Sequence, residues 1–343
     1  MIRSKNSVGR SAKVVVPAAV AAVALLLTGC STGSATGGSD KVAAIIKGLD
    51  NPFFQTMQNG IETQASTDGV DVTVQAATGN DDTTGQADKL SSLAGQDYGC
   101  FIVNPISGTN LVQALVPVSQ AGKTIVNIDS PIDADAAKTA GVTVNTYIGT
   151  DNVDAGNKAG VFVASKIAAG SSVAVIGGIS GNVTSAARID GFKAGLGKAG
   201  TVVGEVAADW NREKALTAAT DIIAAHPEVA AFFAANDDMG LGIVKAVENA
   251  GKTGQIVVVS VDGNQDALES VKAGGLTATV AQYPFAVGSL GVQACQVAAA
   301  GKTLPANVVS PTALVTSDKA DAAIAAFPQP FEEFTNPLAD LLK

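Results

Sequence analysis

Short apolar runs alternate with helically spaced segments along the chain from residue 41 onward. The segments between the runs repeat apolar residues at helical intervals, as in Phe54, Met57 and Ile61. Glycines such as Gly69 and Gly122 follow these segments, where a helix C-terminus favours positive φ. Strands are predicted at 42–46, 70–75, 100–103, 124–128, 143–148, 172–176, 201–206, 230–235, 256–261 and 277–281. Strand–helix alternation of this length predicts an α/β protein with doubly wound parallel sheets.

About ten strands are more than one lobe needs, and 343 residues are enough for two ordinary cores. The segment Y-I-G-T-D-N at 147–152 indicates a passage from one sheet to a second. A further strand-like stretch at 313–315 follows Pro311, which indicates several crossings between lobes. After Asp318 the composition turns to Pro, Phe and Glu, which predicts a surface tail wrapped against a lobe.

The first 31 residues combine a basic segment, an apolar run at 14–27 and a stretch of small residues. The run is short for a bilayer span, which favours a cleaved signal over residues 1–29. The segment L-L-T-G-C-S at 26–31 resembles the lipobox of bacterial lipoproteins, so we expect lipidation at Cys30 and a flexible tether over residues 30–39. An uncleaved anchor is the alternative. Either way the folded part is extracytoplasmic and membrane-attached.

The net charge of −9 conceals an asymmetry, because four basic residues precede Cys30 in a stretch without acids. Without that stretch the chain keeps 18 of its 22 basic residues against 31 acidic ones, a net charge of −13. Such an acidic protein has no electrostatic footprint for nucleic acid. We therefore expect no nucleic-acid partner.

Two cysteines follow Cys30 in the sequence. Cys100 begins an apolar strand and Cys295 lies in a predicted helix, so two buried free thiols are the first interpretation. A single disulfide is the alternative, because an exported protein meets an oxidising compartment. The sequence leaves the pairing open.

Lone polar side chains follow six of the apolar runs directly. The carboxyl ends of parallel strands face the crevice in which such sheets bind ligands. We therefore expect the six side chains to converge on one cleft. They are Lys47, Asn104, Asp129, Asn236, Asp262 and Gln282.

Helix capping is the competing explanation for part of this pattern. Asn51 precedes a proline as a helix cap does, and Asn236 and Asp262 could cap in the same way. Lys47 cannot, because lysine has no acceptor for the free amides of a helix start. We expect Lys47 to point into the cleft beside Asp129 and Asp262, satisfied by a carboxylate or by ligand oxygens.

The chemistry of these residues favours an uncharged polyhydroxyl compound as ligand. Carboxylates accept hydroxyl protons, while Lys47, Arg188 and side-chain amides donate to hydroxyl and ring oxygens. Phe53, Phe54 and Trp210 add aromatic surfaces on which the apolar faces of a sugar can pack. Core packing is an equal alternative for the two phenylalanines.

Stretches that resemble catalytic or cofactor motifs do not have the neighbouring residues or predicted elements that these motifs require. The glycines at 195–200 fit a dinucleotide pattern but end a helix, and three Gly-Lys-Thr triplets lack the upstream glycine of a phosphate loop. His226 is the only histidine, so a histidine-based triad or metal cluster cannot be assembled. We expect no cofactor, no metal and no catalytic activity.

Several stretches, in order, resemble the ribose/allose/galactose group of type I periplasmic binding proteins over residues 40–316. They are N-P-F-F at 51–54, V-N-I-D at 126–129, G-T-D-N at 149–152, S-A-A-R at 185–188, A-D-W at 208–210, F-A-A-N-D-D-M at 233–239, S-V-D-G at 260–263 and V-A-Q-Y-P at 280–284. The resemblance implies two parallel-sheet lobes joined by a three-crossover hinge. The first lobe would comprise residues 40–149 and 283–310, and the second residues 150–282 and 311–316, before a tail at 317–343.

The resemblance also implies roles for individual residues. Hydrogen-bonding positions of the family match Asn51, Asp129, Arg188, Asn236, Asp262 and Gln282, and stacking positions match Phe53, Phe54 and Trp210. Asn104 matches the ribose type, but that type has serine at Lys47 and arginine at Ser130. Lys47 and Trp210 match the allose type. This implies a monomeric receptor of an ABC importer that serves a membrane permease and binds one monosaccharide, with an allose-like hexose or a polyol ahead of ribose.

Two other classes of protein stay open. The sugar-sensing effector domain of a transcription regulator shares this fold, but it carries a helix-turn-helix where this chain has its signal; a chemotaxis receptor can also use such a domain as its input. An exported sugar-active enzyme would need carboxylates such as Asp129 and Asp262 about 5–9.5 Å apart across a scissile bond.

Overall fold

The computed structural model describes residues 39–343, and twelve strands and eleven helices lie in this part of the chain. The strands are β1 (Val42–Ile46), β2 (Val72–Ala76), β3 (Cys100–Val103), β4 (Thr124–Ile128), β5 (Thr146–Thr150), β6 (Ser171–Gly177), β7 (Gly200–Ala207), β8 (Ala231–Ala234), β9 (Val257–Asp262), β10 (Ala278–Ala281), β11 (Asn307–Ser310) and β12 (Ala313–Thr316). The helices are α1 (Pro52–Asp68), α2 (Thr83–Ala94), α3 (Val112–Gln120), α4 (Ala134–Ala140), α5 (Asn152–Lys166), α6 (Val183–Leu196), α7 (Arg212–Ala225), α8 (Asp237–Asn249), α9 (Gln265–Ala273), α10 (Pro284–Ala299) and α11 (Ala320–Ala326). The predicted signal, Cys30 and nearly all of the predicted tether lie outside the described residues.

The first sheet has the strand order β11-β5-β4-β3-β1-β2, and all of its pairings are parallel. Alternate residues of β1 enter different cores, because side chains alternate across a strand. Val42, Ala44 and Ile46 pack in the core with α1 and α10, whereas Ala43 and Ile45 pack in the core with α2 and α3. We call this sheet with α1–α4 and α10 the first lobe.

The second sheet has the order β12-β10-β9-β8-β6-β7. Its strands are parallel except for β12, which runs antiparallel to β10 at the edge. Helices α5–α9 and α11 cover it around one large apolar core. We call this sheet with these helices the second lobe. The two lobes confirm the predicted α/β class with parallel sheets.

The chain passes between the lobes where one sheet gives way to the other. It leaves β5 for α5 near Asp151, returns from β10 to α10 near Tyr283, and leaves β11 for β12 near Pro311. Each of these three passages is only a few residues long, so three short backbone segments join the lobes. Among residues 39–343, no helix is long and apolar enough to cross a bilayer.

Cys100 and Cys295 form a disulfide with their Cα atoms 5.7 Å apart, so the first interpretation of two free thiols is wrong. Cys100 begins β3, and Cys295 lies in α10, which packs on the sheet that contains β3. The two residues are 195 positions apart in the sequence. Their proximity comes from the return of α10 to the first lobe, which sequence spacing does not reveal.

The segment after β12 is more ordered than the surface tail that its composition predicts. It forms α11, which packs against α9, and Phe327 and Phe331 then contact the core of the second lobe. Leu338 is fully buried in the core of the first lobe. Most of the large apolar residues of this segment therefore pack on an existing core, whereas Leu342 is exposed.

Candidate functional site

A cavity lies between the carboxyl ends of the two sheets and contains about 550 Å³ of space, part of it open to solvent. Fourteen of the described residues line it, seven from each lobe. Those of the first lobe are Lys47, Asn51, Phe53, Phe54, Asn80, Ile106 and Asp129. Those of the second lobe are Ile179, Asn182, Thr184, Arg188, Trp210, Asn236 and Asp262. The structure therefore brings nine of the eleven predicted binding residues to one cavity.

Lys47 follows β1 directly and pairs with a carboxylate of its own lobe. Its Nζ donates to Asp129 Oδ2 at 3.1 Å and to Ser130 Oγ at 2.6 Å, and it lies 5.0 Å from the centre of the Phe54 ring. The expected pairing by a carboxylate is thus present, but it involves Asp129 alone, because Asp262 pairs with Arg188 instead. The Lys47 and Asp129 side chains keep 13% and 12% exposure, so they can meet a ligand.

Asp129 has a left-handed backbone with φ 61°, which is unusual for a residue with a side chain. Two hydrogen bonds with residues of β5 hold Asp129 in this conformation. Its N–H donates to Ile148 O at 2.9 Å, and the Tyr147 hydroxyl donates to its carbonyl oxygen at 2.6 Å. Burial, followed by the charge of Asp129, raises the pKa of Tyr147, so the hydroxyl stays a donor. The first crossing between the lobes thereby fixes a carboxylate at the cavity.

Arg188 lies in α6 and is almost fully buried, with its side chain 5% exposed. Its Nε donates to Asn152 Oδ1 at 2.8 Å, and its Nη1 donates to Ala235 O at 2.7 Å and to Asp262 Oδ1 at 3.1 Å. One guanidinium therefore links the start of α5 to the ends of β8 and β9. This planar, multiply bonded cation is held in one orientation at the cavity.

Asp262 ends β9 and accepts hydrogen bonds from two buried donors. Arg188 and Gln282 Nε2 both donate to Oδ1, the latter at 2.7 Å, and no described residue hydrogen-bonds Oδ2. Burial raises the pKa of Asp262 to about 8; Arg188 opposes this rise, while the nearby Asp237 and Asp129 add to it. The Arg188 cation thus favours the ionised form of the carboxyl, while burial and two nearby acids favour the protonated form. Its Oδ2 is available to a ligand.

Asn51 and Asn236 cap helices and line the cavity at the same time. The Asn51 side chain accepts from the N–H of Phe53, and that of Asn236 accepts from the N–H of Met239, each at 2.9 Å. The capping explanation is therefore right for these two residues. It is wrong for Asp262, which lies two residues before the N-cap of α9. Both asparagines can still bind a polar ligand, because an amide whose oxygen accepts a hydrogen bond can donate through its nitrogen.

The aromatic residues of the cavity come from both lobes. Phe53 and Phe54 begin α1 with their ring centres 5.3 Å apart and nearly perpendicular. Trp210 has a left-handed backbone with φ 61°, and its indole covers Gly178, where a Cβ would collide with the ring. The guanidinium of Arg188 lies 5.8 Å from the indole. Apolar faces thus stand beside charged groups, as a sugar with polar edges and apolar faces requires.

Asn104 and Gln282 are fully or nearly fully buried and do not line the cavity. Asn104 Nδ2 contacts Met57 Sδ at 3.4 Å, and its Oδ1 has no partner among the described residues. Gln282 acts on Asp262, to which it donates. These two side chains could reach a ligand only after a local rearrangement.

The sequence reasoning missed five lining residues, Asn80, Ile106, Ile179, Asn182 and Thr184. They lie two to seven positions beyond the ends of β2, β3 and β6, whereas the prediction considered only the residue directly after each run. The signal that could have found Asn80 and Asn182 is a Gly-Asn pair in the loop after a strand. Among residues 39–343, no group of three or more His, Cys, Asp or Glu side chains is placed to hold a metal ion.

A cleft lined equally by two parallel-sheet lobes, with several short chain crossings beside it, defines a two-lobe solute-binding protein. Residues 42–303 match the family described as "Periplasmic binding protein domain", and the chain belongs to this family. The predicted resemblance is therefore confirmed. Family membership implies an extracytoplasmic location and a solute-binding role, and the relatives below are binding proteins, not enzymes.

The relatives and solved structures similar to this chain include sugar-binding proteins. The D-allose-binding periplasmic protein of Escherichia coli is 37% identical over 295 residues, which are 85% of this chain and 95% of the relative. The ribose import binding protein of Bacillus subtilis is 33% identical over 78% of this chain and 84% of its own. A periplasmic solute-binding protein of an ABC transporter from Actinobacillus succinogenes, solved with bound D-allose, has a TM-score of 0.77 and 29% identity over 82% of this chain and 99% of its own. One from Agrobacterium vitis with bound D-fucose has a TM-score of 0.76 and 26% identity over 82% and 97%.

Proposed function

We propose that this protein captures one monosaccharide between its lobes and delivers it to the permease of an ABC importer, with a D-allose-like hexose as the preferred ligand. The convergence of seven residues from each lobe on one cavity is the observation that carries the proposal. A solute held by both lobes favours the closed state, because binding energy from both sides is gained only when the lobes approach.

The residues of the cavity divide by chemistry into acceptors, donors and stacking faces. Asp129 and Asp262 accept hydroxyl protons, and Lys47 and Arg188 donate to hydroxyl and ring oxygens. Asn51 and Asn236 do both. Phe53, Phe54 and Trp210 cover the apolar faces of the ring, with Asn104 and Gln282 supporting the site from its buried side. None of these contacts with the ligand requires one of its bonds to break. We therefore assign a binding function and no catalytic function.

Lys47 favours a hexose over ribose. The D-allose-binding relative has 37% identity to this chain and the ribose-binding relative 33%, so identity alone separates them little. The Lys47 ammonium, held by Asp129 and the small Ser130, adds a charged donor at the cavity wall. A further hydroxyl of a hexose would use this donor, whereas a pentose would leave it without that partner.

The protein would act outside the cytoplasm as a monomer, attached to the membrane by lipid at Cys30. The acidic surface of the chain is in keeping with this arrangement, because lipid attachment does not need electrostatic attraction to anionic headgroups. In this proposal the lobes meet at residues 149, 282 and 310, and these three crossings form the hinge.

A ligand screen tests the proposal. Trp210 is the only tryptophan and lines the cavity, so its fluorescence reports occupancy of this site directly. We expect D-allose to change the emission and to raise the melting temperature, since a ligand at about 100 times its Kd stabilises by about 2.7 kcal/mol. D-ribose, D-fucose and xylitol should act more weakly. The absence of a response to every aldose, ketose and polyol would refute a sugar-binding function. A larger response to D-ribose or xylitol would show that the preferred ligand is a pentose or a polyol and not a hexose.

A further inference from the structure

Asp237 is a fully buried carboxylate at the start of α8, outside the cavity, and it accepts hydrogen bonds from β9, from β10 and from the residue that precedes α9. Its Oδ1 accepts from Ser260 Oγ at 2.5 Å and from Thr279 Oγ1 at 2.6 Å, which places β9 and β10 on one acceptor. Its Oδ2 accepts from the backbone N–H of Asn264 at 2.8 Å. No cation of the described chain pairs with Asp237, so three donors and the N-terminus of α8 stabilise it.

Asp237 accepts a hydrogen bond from the turn at residues 262–264, and this turn includes the cavity carboxylate Asp262. Asp262 has φ 143° and Gly263 has φ 75°, and both values lie in the region that side chains disfavour. Such a backbone persists only where the surroundings determine it. The bond from Asn264 N–H to Asp237 is the contact that fixes the far side of this turn.

We propose that Asp237 is a positioning residue for sugar binding, which holds the turn at 262–264 so that Asp262 faces the cavity with Oδ2 free. Asp237 acts through the Asn264 N–H and touches no ligand. Burial raises the pKa of Asp237, and the hydrogen bonds from Ser260 and Thr279 oppose that rise, so the group depends on its donors. The proposal rests on the proposed function only in its binding readout.

Substitutions separate this role from ordinary stability. Asp237→Ala removes the acceptor, and we expect D-allose affinity to fall at least 10-fold. Asp237→Asn should keep affinity within about 3-fold, because its amide oxygen can still accept from Asn264 while its NH₂ donates to a rotated hydroxyl. Thr279→Val removes one bond to the same carboxylate without reaching the turn, so it should lower the melting temperature and leave affinity unchanged.

Asn264→Pro provides a second test that does not depend on the folding of Asp237→Ala. Asn264 has φ −64°, which proline adopts, and both Asn264→Pro and Asn264→Ala remove the side-chain amide, so the comparison of the two variants isolates the loss of the N–H. It should reproduce the affinity loss, whereas Asn264→Ala should not. Amide exchange of residues 262–264 should quicken in Asp237→Ala, with or without sugar, which separates this inference from the ligand assignment. Slow exchange with full affinity in Asp237→Ala, or equal affinity losses in Asp237→Ala and Thr279→Val, would overturn the proposal.

The end of the chain supports a second, independent inference about the hinge. We define the C-terminal strap as residues 327–343, which follow α11. Phe331 contacts the core of the second lobe, Leu338 and Leu341 contact that of the first, and Phe334 contacts both. Asn336 Nδ2 also donates to Gln293 Oε1 of α10 at 2.8 Å.

The strap also lies against the second crossing between the lobes. Burial, followed by the charge of Glu332 in the strap, raises the pKa of Tyr283 to about 12. The strap follows the part of the chain, residues 42–303, that matches the family. We infer that it ties the lobes together and limits how far the cleft opens.

Three half-buried apolar residues of the strap allow a matched test. Phe334→Ser removes the contact shared by both lobes, whereas Phe331→Ser and Leu341→Ser each remove a contact with one lobe. In small-angle scattering of ligand-free protein we expect a larger radius of gyration for Phe334→Ser than for either control. D-allose affinity should fall several-fold in Phe334→Ser alone. Identical radii and affinities in all three variants would show that the strap merely covers apolar surface.

Discussion

Lys47 and Asp262 belong to separate ion pairs, one in each lobe. Lys47 pairs with Asp129 in the first lobe, and Asp262 pairs with Arg188 in the second. Lys47, Asp129 and Asp262 follow or end strands and Arg188 lies in α6, but the partner of a long side chain depends on distances that the sequence does not contain. Loss of one pair should therefore leave the other intact, so the contribution of each lobe can be measured separately.

Replacement of Lys47 tests the contribution of the first lobe. Lys47→Ser should weaken D-allose binding by about 1.5–3 kcal/mol, the value of a charged hydrogen bond, while D-ribose loses less. Titration calorimetry against both sugars measures the difference. Lys41→Ser is the matched control, because Lys41 forms an exposed ion pair with Asp71 away from the cavity. An unchanged ranking and affinity in Lys47→Ser would show that the lysine does not contact the sugar.

The raised pKa of Asp262 predicts a pH dependence of stability. Its pKa rises from 3.8 in the unfolded reference to about 8 in the protein, chiefly through burial. The folded state then holds a proton that the unfolded chain has lost, so the free energy of unfolding should fall as the pH rises from about 4 to 8. D-allose affinity should increase over the upper part of this range, because the ionised carboxylate is a better acceptor for hydroxyl groups.

Denaturant unfolding of the wild type and of Asp262→Asn from pH 5 to 9 checks this dependence. The variant cannot titrate at this position, so the difference between the two stability curves isolates Asp262. The curves should converge in slope above pH 8. Parallel curves throughout would mean that Arg188 keeps Asp262 ionised even at low pH.

A position at a strand end brings only some of the predicted side chains to the cavity, because Asn104 and Gln282 also follow strands directly and do not line it. Lys47, Asp129 and Asp262 follow their strands directly or end them, so the topology carries them to the cavity. Asn80 and Asn182 were not predicted, because loop geometry brings them back to the cavity from several residues beyond a strand. Loop conformation depends on local turns and contacts that hydrophobic periodicity does not encode.

At the scale of elements, α5 and α6 approach each other through glycines on both helices. A Cβ on Gly156 or Gly160 would overlap the carbonyl oxygen of Arg188 or Phe192 in the facing helix. This close contact fixes the backbone that carries the Arg188 side chain at the cavity. Helix packing and ligand chemistry are therefore coupled in this part of the second lobe.

Gly156→Ala tests this coupling. We expect a loss of about 1–3 kcal/mol in the free energy of unfolding from overpacking, and weaker D-allose binding because α6 must shift with Arg188. Gly95→Ala is the control, since Gly95 has φ −84° and open space around its Cα. Chemical unfolding and calorimetry give the two quantities. A stability loss with unchanged affinity would show that α6 relaxes without moving the guanidinium.

The elements themselves were largely predictable from periodicity. Every predicted strand is present with ends shifted by at most three residues, because parallel strands buried on both faces form continuous apolar runs. Strand β11 (Asn307–Ser310) was missed, since only alternate residues of this edge strand are buried and its apolar run is two residues long. The Cys100–Cys295 bond was not predictable, because it depends on the crossing that returns α10 to the first lobe.

For the molecule as a whole, sugar binding should change the angle between the lobes. Saturation with D-allose should reduce the radius of gyration in small-angle scattering, because both lobes contribute equally to the cavity lining. Lys47→Ser at the same sugar concentration, largely unliganded, should compact less. Superimposable wild-type profiles with and without sugar would rule out hinge closure.

The proposed attachment to the membrane is a second prediction at the scale of the whole molecule. Cys30→Ser removes the proposed site of acylation and should release the protein into the soluble extracellular or periplasmic fraction. Ser31→Ala, one residue further along, should remain in the membrane fraction. Firm retention of Cys30→Ser would exclude the lipid anchor and favour an uncleaved apolar segment.

The disulfide joins two parts of the first lobe and leaves the lobes free to move against each other, although its loop of 195 residues includes strands β6–β10 of the second lobe. If the predicted signal directs export from the N-terminus, Cys100 reaches the oxidising side long before Cys295. The bond can therefore close correctly only after both sheets have been delivered almost completely. A free Cys100 thiol would mark molecules whose translocation is unfinished, so oxidation of this pair records the completion of secretion.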